Sequence, residues 1–197
     1  IQACEAHPEK PKFEVLEDVV AKAAELIAEG NPIGWFQGRM EFGPRALGGR
    51  SILGRADQIG IADKINSQIK FRERWRPFCP SVLDSIAEEV IESDHQADFM
   101  TITFNVADEW KEKMPEVVHK DGSARVQVVH AETNPKYHSL LTKLQGMTGN
   151  GVVLNTSLNR RGEPMVCSPR DALEMFFGSD LQYMVLEDLL VTKHRES

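Results

Sequence analysis

The residues able to do chemistry fall in four short segments, and most of them are cations. In residues 38–51, GRMEFGPRALGGRS, three arginines (Arg39, Arg45, Arg50) stand among four glycines, directly after an apolar run. Guanidinium groups offer planar, paired donors to phosphate or carboxylate, and glycines let backbone N–H groups come close to a ligand. Such a loop is suited to hold an anion. In residues 70–80, KFRERWRPFCP, the cations Lys70, Arg72, Arg74 and Arg76 alternate with Phe71, Glu73 and Trp75; in an extended chain all four share one face. In residues 119–127, HKDGSARVQ, the Asp121-Gly122 turn signal lies between Val117-Val118 and the run 126–129. It predicts a hairpin that delivers Arg125. In residues 154–164, LNTSLNRRGEP, an apolar run ends in Asn155, Thr156, Ser157 and Asn159, small neutral groups able to bond a nucleotide or an oxyanion.

Taken singly, three of these segments have ordinary structural readings. The alternation from Lys70 to Arg76 also describes a charged edge strand that resists aggregation. The Asp-Gly hairpin is equally a plain surface turn, and Asn/Ser clusters commonly make Asx and Ser/Thr turns. Two features favour a preorganised phosphate site: Trp75, Pro77, Phe78 and Pro80 stiffen the second segment, and a separate arginine-rich loop lies upstream. The chain carries net charge −7, so these cations run against its overall balance. That balance disfavours nonspecific nucleic-acid binding. The three cysteines (Cys4, Cys79, Cys167) lack CxxC spacing and the six histidines lack a pairing such as HExxH. This argues against a zinc site and suits a reducing, cytoplasmic setting. No apolar run approaches the roughly 18 residues of a membrane span, and no export signal is recognisable, so membrane association is not expected.

Those segments need elements to position them. Residues 1–12 are polar and proline-containing and read as a linker, leaving one domain over 13–197, enough chain to bury roughly two-thirds of its unfolded surface. A helical stripe (Val15, Leu16, Val19, Val20, Ala23, Leu26, Ile27) predicts a helix over 13–30 closed by Gly30. Residues 33–37 read as a buried strand feeding the first arginine loop. Further helices are predicted over 59–69, 85–91 and 108–114 (the last exposed), from Pro135, and from the Ser168-Pro169 cap through Phe177. Strands are predicted at 81–83, 99–106, 152–154, 183–186 and 189–192. Alternating helices and strands with hairpin signals indicate an α/β domain with a mixed, twisted sheet.

In this order the four motifs resemble the C-terminal domain of the O-carbamoyltransferases of the nodulation and antibiotic-biosynthesis type (the NodU, CmcH and TobZ group). The family pattern reads roughly EfGPRALGxRSIL, KxREpfRPFaP, HxDGTxRxQ and NTSFNxxGEPiV, and the match spans nearly the whole chain. Arg74 stands where the family often has proline, Ser123 where threonine is usual and Leu158 where phenylalanine is usual. None of these departures removes a charged ligand.

The resemblance implies a YrdC/Sua5-like single α/β domain, its twisted mixed parallel/antiparallel sheet flanked by helices. It implies a carbamoyltransferase half-reaction in which carbamoyl phosphate and ATP, the latter with Mg²⁺, give carbamoyl adenylate. A Kae1-like N-terminal domain of the full-length chain would then pass the carbamoyl group to a hydroxyl. The chain begins at Ile1 rather than methionine and is expected to be an excised C-terminal domain. By the same analogy Lys70, Arg76, Arg125 and Arg45 are the catalytic anion ligands. Arg39, Arg50 and Arg72 bind substrate or nucleotide, and Asn155 and Ser157 contact the carbamoyl or adenylate portion. No protein ligand to a metal is expected. Arg55, Arg160 and Arg161 read as solvated charge, Glu41 and Glu163 as groups that orient arginines, and Trp75 and Phe78 as core. Two other classes stay open: a module that binds nucleotide or carbamoyl phosphate without turnover, and a YrdC-like RNA-binding protein. The acidic balance of the chain counts against the second.

Overall fold

The computed structural model describes residues 1–71, 73 and 76–193. Arg72, Arg74 and Trp75, read above as anion ligand, member of the cationic face and core residue, lie outside the described residues. In chain order the elements are α1 (Gln2–Ala6), β1 (Lys12–Val15), α2 (Val19–Ala28), β2 (Ile33–Phe36), β3 (Arg50–Arg55), α3 (Ile61–Ile65) with a wider π-type turn (Asn66–Lys70), β4 (Cys79–Leu83), α4 (Ala87–Val90) and β5 (Phe104–Asn105). There follow α5 (Asp108–Lys113), β6 (Ser123–Ala124), β7 (Gln127–Val129), α6 (Pro135–Thr148), β8 (Val152–Ser157), α7 (Pro169–Phe177), β9 (Tyr183–Leu186) and β10 (Leu189–Thr192).

The expected mixed sheet is present, with eight strands in the order β1-β10-β9-β2-β3-β8-β4-β7. The pairs β2/β9 and β4/β7 are parallel; the other neighbours are antiparallel. Central strands such as β2 (IGWF) are buried along their whole length, which is why their sequences read as continuous rather than alternating apolar runs. Helices α2 and α6 pack on each other, α2 also touching β2 and β3 and α6 touching β4 and β8; α7 packs on β2 and carries α1.

Local signals account for the departures from expectation. The helix predicted from residue 13 starts only at Val19, because the Asp18 carboxylate accepts the Ala21 N–H at 2.8 Å and fixes the N-terminus there. The preceding KFEV is instead the edge strand β1, paired with β10. Within residues 1–12 the helix α1 buries Cys4. The strand predicted over 99–106 contracts to β5 and one bridge between Ile91 and Val106. The Asp121-Gly122 turn forms, with Gly122 at φ +82°, but Ser123–Ala124 pairs with β5 while Val117 lies in a 3₁₀ turn. The segment 108–114, expected to be exposed, buries Trp110 and Met114.

Candidate anion site

Sheet topology brings the four motifs to one place. Strand β8 ends at Ser157, and the antiparallel registers put Ser51 of β3 opposite Ser157 and Cys79 of β4 opposite Asn155. The first arginine loop, which enters β3, and the segment that enters β4 therefore reach the same end of the sheet. Strand β7 runs parallel to β4 with Gln127 opposite Ser81, so Arg125, just ahead of β7, arrives there too.

A cleft of about 430 Å³ opens at this end, and Arg45, Lys70, Arg76, Arg125 and Ser157 line it together. Lys70 is not part of an extended segment: it ends the π-type turn, followed by Phe71 in the left-handed region at φ +47°. Lys70 is 6% exposed, and its ammonium shares its three N–H groups among the Ser157 carbonyl (2.5 Å) and Oγ (3.1 Å) and the Asn159 carbonyl (3.1 Å) and Oδ1 (2.6 Å). Its position at a helical C-terminus is also electrostatically favourable. Arg125 donates through Nε and Nη2 to the Cys79 thiol at 3.3 and 3.1 Å. Arg45 and Arg76 make no side-chain hydrogen bond or ion pair among the described residues, so their forks are free to meet a ligand.

Two arginines read as solvated charge also line this cleft, Arg160 and Arg161. Arg160 pairs with Glu163 at 2.6 Å and lies against Gly178, where a Cβ would stand only 2.0 Å from its Nη1. The pairing holds the Glu163 carboxyl below its ordinary range. Arg161 donates to the Phe71 carbonyl at 2.9 Å. Their placement follows from the NRRGE turn leaving the very strand end that carries Ser157, a signal legible once β8 is extended to that residue. No carboxylate lines the cleft among the described residues. Several like charges facing one cavity repel unless an anion offsets them.

A smaller recess of about 90 Å³ adjoins the cleft, sharing Arg45, Arg125 and Ser157 with it and adding Cys79 and Asn155. Asn155 is 2% exposed. Its Nδ2 donates to the Ala46 carbonyl (3.1 Å), Ser81 Oγ (3.0 Å) and Gln127 Oε1 (3.3 Å), while its Oδ1 has no partner among the described residues. A buried amide oxygen left unpaired is costly, and a ligand N–H is the natural group to satisfy it.

The remaining arginines of the first loop lie elsewhere. Arg50, expected among the anion ligands, is 4% exposed and lines neither cavity. Its guanidinium donates to the carbonyls of Gln37, Gly49, Gly38 and Cys167 and stacks 3.5 Å above the Phe36 ring. Burial lowers its pKa, though the nearby Glu41 and Glu187 oppose the shift. Arg39 lines a separate groove of about 470 Å³ with Glu41, Lys136 and Glu187. Glu41 Oε1 accepts the backbone N–H groups of Leu47, Gly49 and Arg50 at 2.7, 2.7 and 3.1 Å, so it shapes the loop backbone rather than orienting an arginine side chain. Those amides, expected to face a ligand, are thereby occupied. Gly48 sits at φ +98° with a Cβ position 2.3 Å from the Tyr137 ring, which no other residue type would fit.

No helix among the described residues is long and apolar enough to cross a membrane. By sequence the chain is 42% identical over 197 residues to the uncharacterized protein sll1178 of Synechocystis, covering 90% of this chain and 32% of that protein. It is 41% identical over 189 residues to the nodulation protein NolNO of Sinorhizobium fredii, covering 94% of this chain and 28% of that protein. The chain thus spans about a third of the length of these relatives. In three dimensions it is similar to HypF of T. kodakarensis (TM-score 0.59, 18% identity, 84% of this chain and 21% of that one). It is also similar to Sua5 of P. abyssi (TM-score 0.54, 13% identity, 85% and 50%). At these identities the likeness fixes the fold alone, and it is the YrdC/Sua5-type fold that the four motifs implied. Residues 24–193 match the family described as Carbamoyltransferase C-terminus, and to that family, the one with the nodulation proteins among its members, the chain belongs.

Proposed function

We propose that this domain binds carbamoyl phosphate and ATP in the cationic cleft and forms carbamoyl adenylate, which a Kae1-like domain of a longer chain then passes to a hydroxyl. The observation that carries the reading is the convergence of Arg45, Lys70, Arg76 and Arg125, from three separate motifs, on one cavity with Ser157. Two polyanionic substrates repel each other until cations offset their charge, and a cleft with this lining supplies that offset in advance.

An adenylate forms when a carbamate oxygen, released as water takes the phosphoryl group from carbamoyl phosphate, attacks the α-phosphorus of ATP. The bond to pyrophosphate breaks, and the negative charge passes to the leaving group. No covalent enzyme intermediate is required. The residues act by positioning and by stabilising charge on the transferring phosphorus and the leaving group. Arg45 and Arg76, with no side-chain partner among the described residues, are the groups best placed to grip phosphate oxygens. Lys70, tied to Ser157 and Asn159, adds a fixed positive charge beneath them. The unpaired Asn155 Oδ1 in the adjoining recess suits the NH₂ of a carbamoyl group. Mg²⁺ would enter on the nucleotide, held by phosphate oxygens and water, since the cleft offers it no carboxylate among the described residues.

Exchange of radiolabelled pyrophosphate into ATP, with and without carbamoyl phosphate, tests the reading. Exchange that depends on carbamoyl phosphate supports it. Binding of both ligands without exchange would reduce the domain to a binding module, and no binding of either at millimolar concentration, worth only about −4 kcal/mol, would remove the proposal.

A further inference from the structure

Histidine spacing in the sequence gave no metal motif, yet the fold gathers two histidines and three carboxylates at the end of the sheet away from the cleft. Strands β4 and β7 run parallel with Leu83 opposite Val129, so the next residues, Asp84 and His130, leave the sheet side by side. Glu132 follows in the turn after β7, His138 comes from α6, and Asp98 from the connection between α4 and β5. Cys79, in the recess that adjoins the cleft, and Asp84 are separated by the length of β4, about 16 Å at about 3.3 Å per residue.

The distances suit a divalent cation better than a proton. His130 Nε2 lies 3.2 Å from Asp98 Oδ1 and His130 Nδ1 lies 3.5 Å from Asp84 Oδ2. A neutral imidazole has a single N–H. Given to Asp98, that N–H leaves the Nδ1 lone pair facing a carboxylate oxygen, two acceptors opposed. At 3.5 Å the pair is too long for a good hydrogen bond, but two ligand atoms each about 2.0–2.1 Å from one tetrahedral ion stand roughly 3.4 Å apart. One ligand atom each from Asp84, His130 and Glu132 lie within 4.8 Å of one another. The outer partners have the form that metal sites use: a carboxylate on the far nitrogen of the ligating histidine, and His138 Nε2 at 3.0 Å from the other oxygen of Asp84.

We infer that Asp84, His130 and Glu132 hold a zinc-class divalent ion, with water completing the shell and with Asp98 and His138 fixing the two inner ligands. An imidazole among the donors favours zinc or a neighbouring transition ion over Mg²⁺ or Ca²⁺. The ion would tie the end of the β4/β7 pair to the 92–103 connection and to α6, a structural clasp remote from the anion cleft.

Calorimetric titration of the tag-free chain with ZnCl₂ in a non-chelating buffer tests this. The expected result is one ion per chain with a dissociation constant in the micromolar range or tighter. Affinity should fall at least a hundredfold in His130→Ala and about 10–100-fold in Asp98→Asn, with ATP binding at the cleft unchanged in both. EDTA should lower the melting temperature of the zinc-loaded wild type and leave that of His130→Ala unmoved. Should His130→Ala fail to fold, the exposed Glu132→Gln takes its place with the same expected loss. No stoichiometric uptake by the wild type, or equal uptake by His130→Ala or its replacement, would overturn the inference and leave the cluster as an ion-pair network held by protons.

Discussion

Arg45 and Arg50 stand five residues apart in one loop, with the same side chain and contrary surroundings. Arg45 lines the cleft and is unpartnered among the described residues, whereas Arg50 is buried beneath the loop with its donors spread over four backbone carbonyls. The cleft holds cations in excess, an electrostatic cost that a bound anion would relieve. The knot around Arg50 and Glu41 makes most of its hydrogen bonds within the protein, with Arg50 Nε and Glu41 Oε2 left without a partner among the described residues. Arginine density in a sequence therefore marks a region, while the acceptors that happen to surround each guanidinium decide which arginines stay open in the cleft and which hold the loop in shape.

The sharpest break in this comparison is Arg50→Met. It strands several buried carbonyls, so the unfolding free energy in urea should fall by about 3 kcal/mol, or a melting temperature about 6–12 °C lower for a chain of this size. An unchanged melt would show that the knot contributes nothing. Arg45→Ala should do the reverse: ATP affinity by calorimetry falls about 10–100-fold, the loss of one charged hydrogen bond, with the melt unmoved. Loss of the fold along with binding would place Arg45 in the knot after all.

In Arg125→Ala the ligand-induced rise in melting temperature should shrink, corresponding to an apparent affinity about tenfold weaker, because one cation leaves the cleft. The empty protein should melt at the same temperature or slightly higher, and an undiminished ligand shift would remove Arg125 from the site. Arg45→Lys keeps the charge and loses the planar fork, so a smaller loss than Arg45→Ala, about tenfold or less, separates geometry from charge. The smallest effect belongs to Glu163→Gln. Freeing Arg160 from its partner should tighten anion binding by less than about threefold at neutral pH. Because the Glu163 carboxyl is held below its ordinary range by Arg160, the wild-type pair persists from neutral pH down through the usual carboxylate range and is lost only as pH falls through the lowered folded value. A gain in wild-type affinity already complete at pH 6 would assign it to another group.

Much of the site was legible because its residue types are uncommon together. Lys70, Arg76, Arg125 and Arg45 were identified from cationic motifs and from the family pattern, and all four line one cavity. Arg160 and Arg161, read as solvated charge, are exposed as that reading has it; that they also line the cleft was not foreseen because their turn was considered apart from the strand it leaves. The burial of Arg50 was not foreseen because a buried arginine and an exposed one are written with the same letter. The helix over 13–30 was overextended because Val15 and Leu16 fit a 3.6-residue stripe, while the Asp18 cap that ends it competes with that stripe locally. The strand β3 was overlooked because its first residues belong to the arginine motif.

The amino-acid sequence by itself determined the α/β class, the family and the set of cations, since periodicity, capping residues and motif order are properties of short stretches of chain. Helix α7 is an instance: Ser168 and Asp171 form their reciprocal cap as the local sequence indicates. Only the tertiary structure decided the sheet order and with it the company each charge keeps. The antiparallel register of β8 with β3 and β4, and the parallel register of β4 with β7, carry residues as far apart as Arg45 and Asn159 to one cleft and set Asp84 beside His130 at the other end. Such pairings depend on contacts between strands distant in sequence, whose energies are shared across the whole sheet, so no single segment of the chain encodes them.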